Sequence, residues 1–79
     1  MKIRKANLQV DTFSVYIHEN KKEEQTLIDI PFIKWSTIIP YEEDNIALKK
    51  RLEGEFQSAL ESEDATHLSL KIVQWVREM

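Results

Sequence analysis

Two histidines, His18 and His67, are the side chains that could titrate near neutrality without help, so any acid–base or metal chemistry in this chain would begin with them. Neither has a second histidine three or four residues away, which removes the spacing that puts two ligands on one face of a helix. His18 has the opposite parity to Val15 and Ile17 and falls on the outer face of a strand. His67 lies about 200° around a helix from Ala65. The sequence therefore predicts two separate surface histidines, and no metal ligands. Other reaction classes fare no better. The single glycine, Gly54, cannot build a phosphate-cradling loop, and the absence of cysteine excludes thiol catalysis and thiolate-ligated metals. Ser14, Ser36, Ser58, Ser62 and Ser69 stand neither beside a histidine nor in a G-x-S-x-G context. The carboxylate groups Glu42/Glu43/Asp44 and Glu61/Glu63/Asp64 are placed where helix starts favour negative charge. The reading is no enzyme, no catalytic residues and no cofactor, with a small-molecule or metal-dependent enzyme joining His18 or His67 to a carboxylate kept as the last alternative.

The elements that must carry these residues follow from periodicity. Ala6, Leu8 and Val10 occupy even positions, whereas Phe13, Val15 and Ile17 occupy odd ones, which fits an antiparallel hairpin closed at Asp11-Thr12 with Val10–Phe13, Leu8–Val15 and Ala6–Ile17 opposed. The polar run Glu19 to Gln25 makes the next hairpin tip. Beyond it Ile28, Ile30 and Phe32 join the inner face, through Ile17–Ile28, Val15–Ile30 and Phe13–Phe32 pairs. Parity reverses after Pro31, since Ile33, Trp35, Ile39 and Tyr41 are odd. A proline interrupts a ladder, so a strand should end there, with residues 35–39 a fourth strand or an extended arm.

After Pro40 the period becomes helical. Leu48, Leu52, Phe56, Ala59 and Leu60 form one stripe, capped near Asp44; Gly54 within it suggests close packing or an irregularity. Ala65, Leu68, Ile72, Trp75 and Met79, widened by Val76, form a second stripe with Ser62 as its N-cap. The fold expected is α+β: one domain, residues 1–79, with an antiparallel β-meander of three or four strands followed by two antiparallel helices packed on one face. Phe56, Trp35 and Trp75 are expected in its core.

Eleven basic and fourteen acidic residues give a net charge of −3, which leaves no overall cationic footprint for nucleic acid. No apolar run is long enough to span a bilayer and the N-terminus lacks a signal-peptide core, so a cytoplasmic location is expected. Two surfaces remain as candidates for binding. The outer sheet face would carry Lys5, Asn7, Gln9, Ser14, Tyr16, His18 and Asp29, with Ile3 and Leu27 at its margin. It reads as polar, and as a nucleic-acid platform it would offer Tyr16 alone. The second is Leu70, about 140° from Ala65, which with Val73 could extend the buried band toward a partner protein or a second copy.

The segments Met1-Lys2-Ile3-Arg4-Lys5-Ala6, Glu19-Asn20-Lys21-Lys22-Glu23-Glu24, Tyr41-Glu42-Glu43-Asp44 and Trp75 to Met79 together resemble the YueH-like family of small proteins from bacilli and their relatives. The resemblance spans nearly the whole chain. It implies a short, cytosolic bacterial protein and brings no catalytic residues.

Overall fold

A computed structural model describes residues 2–9 and 11–78. Four strands form one antiparallel sheet in the order β1 (Lys2–Asn7), β2 (Thr12–Asn20), β3 (Gln25–Ile30) and β4 (Trp35–Pro40). Two helices follow, α1 (Asn45–Phe56) and α2 (Ser62–Glu78). Thr66 Oγ1 donates to Glu53 Oε2 and Arg77 Nε to Asn45 Oδ1, so the end of α2 lies beside the start of α1 and the helices run antiparallel. This is the expected α+β fold, and residues 35–40 are a true fourth strand.

One sheet face and the two helix stripes close the core. Phe13, Val15, Ile17, Ile28, Ile30 and Ile39 from the sheet pack with Leu48, Leu52, Phe56, Ala65, Leu68, Ile72 and Val76, all 6% exposed or less. The inner face is thus the one that the alternation of Phe13, Val15, Ile17, Ile28 and Ile30 predicts. Trp35 and Trp75 are half-buried at its margins, and Phe56 alone of the three aromatic core candidates is fully enclosed. Met79 lies outside the described residues.

The first hairpin departs from expectation by four residues. Ala6 faces Phe13, Arg4 faces Val15 and Lys2 faces Ile17. Both registers keep the same faces together, so parity cannot choose between them, and the turn decides. A two-residue turn at Asp11-Thr12 would force a β-branched residue toward positive φ. Instead Leu8 N–H bonds the Asp11 carbonyl at 3.0 Å and Thr12 becomes the first residue of β2. Leu8 and Gln9 consequently leave the sheet, and the expected Val10–Phe13 pair involves a residue outside those described.

The second hairpin has the expected register, with Ile17 opposite Ile28. At Pro31 the chain breaks into a short 3₁₀ turn, Pro31–Ile33, and Lys34 takes a left-handed conformation with φ 51°. Phe32 stacks on Phe13, ring centroids 4.9 Å apart, as opposition of the two rings requires. It stays half-exposed, because the chain has already left the strand.

Helix boundaries follow local chemistry. The Asp44 carboxylate accepts from Ile46 N–H at 2.9 Å and Ala47 N–H at 3.2 Å, making it the N-cap of α1. That helix stops at Phe56, so Ala59 is exposed and Leu60 only half-buried, outside the helical stripe. Ser62 is already the first residue of α2, since Ala65 N–H bonds the Glu61 carbonyl at 2.8 Å, which moves the cap one position earlier. Gly54 is exposed on α1, and a Cβ there would meet nothing within 4 Å, so neither close packing nor irregularity explains it. Gly54→Ala is therefore expected to stabilise the fold by about 0.5 to 1 kcal/mol, read as a higher urea midpoint at constant m-value.

Candidate interaction surface

With both helices on one side, the other face of the sheet is open. Alternation along the strands and the observed registers place its side chains in rows across the sheet. Ile3, Tyr16, Asp29 and Ser36 form one row; His18, Leu27 and Ile38 form the next; Lys5 faces Ser14 beyond the first. Three aliphatic side chains stand exposed here, Ile3 at 57%, Leu27 at 39% and Ile38 at 50%. With Tyr16 between Ile3 and Leu27 they run diagonally from β1 to β4. A shallow depression of about 340 Å³ lies within this band, lined by Tyr16, His18, Leu27, Asp29 and Pro31.

The expectation of a polar outer face needs correction. Ile38 joins this face because residues 35–40 form a strand, and the sequence carries a signal for it: Ile38 and Ile39 are adjacent, so in any strand one must point away from the core. Ile39 is fully buried. Gln9 does not belong to this face. Its backbone N–H donates to Asp64 Oδ1 at 3.1 Å and its side chain to Glu63 Oε2 at 2.8 Å, which pins the β1–β2 connection to the start of α2.

Lys5, Tyr16 and His18 are brought together on the open face, with Lys5 Nζ donating to Ser14 Oγ at 2.8 Å. Leu70 and Val73 are on α2, in the other layer. Val73 packs against the core, which leaves Leu70, 51% exposed, without its expected companion. A shallow hollow beside it is lined by Ser62, Glu63, Thr66 and His67. The two histidines are both exposed and lie in different layers. Among the described residues no group of three His, Asp or Glu side chains is placed to hold a metal ion.

The remaining polar interactions frame the fold. Arg51 on α1 makes a two-pronged bond to Glu43 at 3.0 Å and reaches Thr37 Oγ1 at 2.9 Å and Glu55 at 3.1 Å. Trp35 Nε1–H donates to Glu55 Oε1 at 2.9 Å, so α1 is tied directly over β4. The Glu43 hydrogen bond raises the Arg51 pKa further above its already high value. Lys49, bonded to Glu53, holds that carboxyl below its ordinary range. Of the Lys49/Lys50/Arg51 cluster, two members are thus engaged in ion pairs.

Tyr41 closes one end of the sheet. Its hydroxyl donates to the Glu19 carboxylate, which pushes its pKa up to about 12, and its N–H bonds the Glu24 carbonyl at 2.9 Å. Arg77 from α2 reaches the carbonyls of Tyr41 and Glu43. The hairpin tip, the connection into α1 and the end of α2 therefore meet at one corner. No helix among the described residues is long and apolar enough to cross a membrane.

No solved structure matches the chain. The uncharacterized protein YueH of Bacillus subtilis (strain 168) is 49% identical over 82 residues, an alignment covering 100% of each chain. The family model described as YueH-like protein matches residues 2–78. The chain belongs to the YueH-like family.

Proposed function

We propose that the protein is a non-catalytic interaction module of the cytoplasm whose open sheet face receives an apolar surface of a partner protein. The observation that carries this reading is the band Ile3–Tyr16–Leu27–Ile38, which crosses all four strands on the face opposite the helices, with Tyr16 half-buried and the three aliphatic side chains exposed. An antiparallel sheet with one solvated face ordinarily alternates apolar-in with polar-out, and this face breaks that rule in each of three strands. Its charges are balanced, with Lys5 against Asp29, which favours a neutral, apolar partner surface over a polyanion.

A nucleic-acid platform draws less support. Stacking surfaces use several aromatics beside cations, and Tyr16 is the one aromatic among the described residues of this face, with Asp29 in its own row. Acid–base chemistry at His18 or His67 also draws less support, since both imidazoles are exposed and each shares only a shallow hollow with a carboxylate, His18 with Asp29 and His67 with Glu63.

The double variant Leu27→Ser/Ile38→Ser tests the proposal. Both side chains are on the solvent side, so its unfolding free energy should stay within roughly 0.5 kcal/mol of wild type for each change. Partners that co-purify with the tagged wild-type protein from its native cells should be lost from the variant. Identical partner sets for the two proteins, or a low-salt titration in which single-stranded RNA binds the wild type, would overturn the reading.

A further inference from the structure

The two free edges of the sheet are finished differently. β1 carries Lys2, Arg4 and Lys5 in its six residues, and charge on an edge strand discourages pairing with another chain. β4, Trp-Ser-Thr-Ile-Ile-Pro, carries none. Among the described residues no strand lies beyond it.

Which backbone groups β4 leaves open follows from its ladder. Tyr41 N–H bonds the Glu24 carbonyl at 2.9 Å, in the same register that sets Pro40 opposite Gln25. Residues of an antiparallel pair alternate between exchanging both bonds with the partner strand and directing both groups away from it. Tyr41 faces β3, so Ile39, Thr37 and Trp35 face it too, and Ser36, Ile38 and Pro40 are turned to the free edge. Pro40 has no N–H, and its carbonyl accepts Glu43 N–H at 3.1 Å. The open groups on this edge are thus the N–H and C=O of Ser36 and of Ile38.

We propose that a second copy of the chain pairs along this edge, antiparallel about Thr37, joining two four-stranded sheets into one. In that register Ser36 of each copy lies opposite Ile38 of the other, and the two pairs exchange two bonds each. Every open donor on the edge then finds an acceptor. A shift of two residues about Ile38 instead sets Ser36 against Pro40, which has no N–H and whose carbonyl is engaged.

The same features select a second copy as the occupant. Antiparallel pairing of a strand with itself is two-fold symmetric, the symmetry of the commonest oligomers. It places no like charges opposite on β4, whereas the same pairing at β1 brings cation against cation. α1 lies over β4 through Arg51 and Trp35, so the two α1 helices become neighbours across the joint. Each Arg51 arrives already compensated by Glu43 and Glu55. The association uses the sheet edge, is independent of the partner proposed for the open face, and leaves that face clear.

Sedimentation equilibrium of the full chain, with hydrogen exchange resolved by residue, tests it. Wild type should sediment at twice the 9.4 kDa chain mass at high concentration. The Ser36 and Ile38 amides should gain protection as concentration rises, a readout that needs no variant. Ser36→Pro removes an N–H that serves no bond within the chain, at an edge position where proline is tolerated. It should weaken association roughly a hundredfold, through one hydrogen bond lost per copy and the ring's intrusion on the joint. Lys5→Pro, on the protected edge, should leave association unchanged. Leu27→Ser should also leave it unchanged, while acting on the open face. A monomer at millimolar concentration, or free exchange at both amides in an associated wild type, overturns the proposal. So does an association lost by Leu27→Ser and kept by Ser36→Pro, which would assign self-association to the open face.

Discussion

Phe56→Ala is expected to destabilise the protein by about 3 to 5 kcal/mol, the range for removing a fully buried phenylalanine ring and leaving a cavity. Phe56 has no exposed surface and sits where three parts of the fold meet. It ends α1, and its carbonyl accepts both Ala59 N–H at 2.9 Å and Leu60 N–H at 2.7 Å, so it starts the connection to α2. Its ring packs against Trp35 of β4, centroids 4.5 Å apart and planes tilted by 60°. Such pairs add about 0.5 to 1.5 kcal/mol beyond their buried area. A domain of this length has a total stability on the order of 4 to 12 kcal/mol, so the variant should lose at least a quarter of it. Urea denaturation followed by circular dichroism measures the change. A loss below about 1 kcal/mol would mean that the surrounding core collapses into the space, contrary to the packing seen.

Asp64→Ala should cost about 2 to 3 kcal/mol, for a different reason. Asp64 is 4% exposed, occupies the first turn of α2 and accepts the Gln9 backbone N–H. Alanine removes a charged acceptor from a partly buried amide and a carboxylate from the positive end of a 17-residue helix. The loss should be local as well as global. Gln9 lies in the β1–β2 connection, which the sheet does not hold, so its amide should exchange faster in the variant at unchanged protection of β2. Asp64→Asn retains an acceptor and should recover part of the stability. Equal stability of wild type and Asp64→Ala would show that the connection is held without this bond.

Most of the fold was legible because its signal is local and periodic. Ile28, Ile30, Val15 and Ile17 could be assigned to one face from numbering alone, and Asp44 to a helix start from its place before an apolar stripe. The errors fell where periodicity is silent. A register shift of four residues in the first hairpin preserves every face, so only the turn geometry at Leu8 and Asp11 could select it. The stripe Leu48–Leu52–Phe56 continues numerically to Leu60, but the backbone after Phe56 turns instead of winding on. The candidate surface is half visible in the sequence: parity puts Lys5, Tyr16 and His18 on one face, whereas Ile38 joins them only because residues 35–40 pair with β3.

The order of apolar and polar residues, by itself, determined the element types, the inner face of the sheet and the absence of familiar catalytic spacings, since each depends on neighbours within a few positions. Tertiary structure alone decided the hairpin register, the exposure of Ile3, Leu27 and Ile38 as one band, and the identity of β4 as an uncharged free edge. These depend on which strands lie side by side and what lies beyond the last one. Backbone hydrogen bonds impose that arrangement over distances that a local pattern of side chains does not encode.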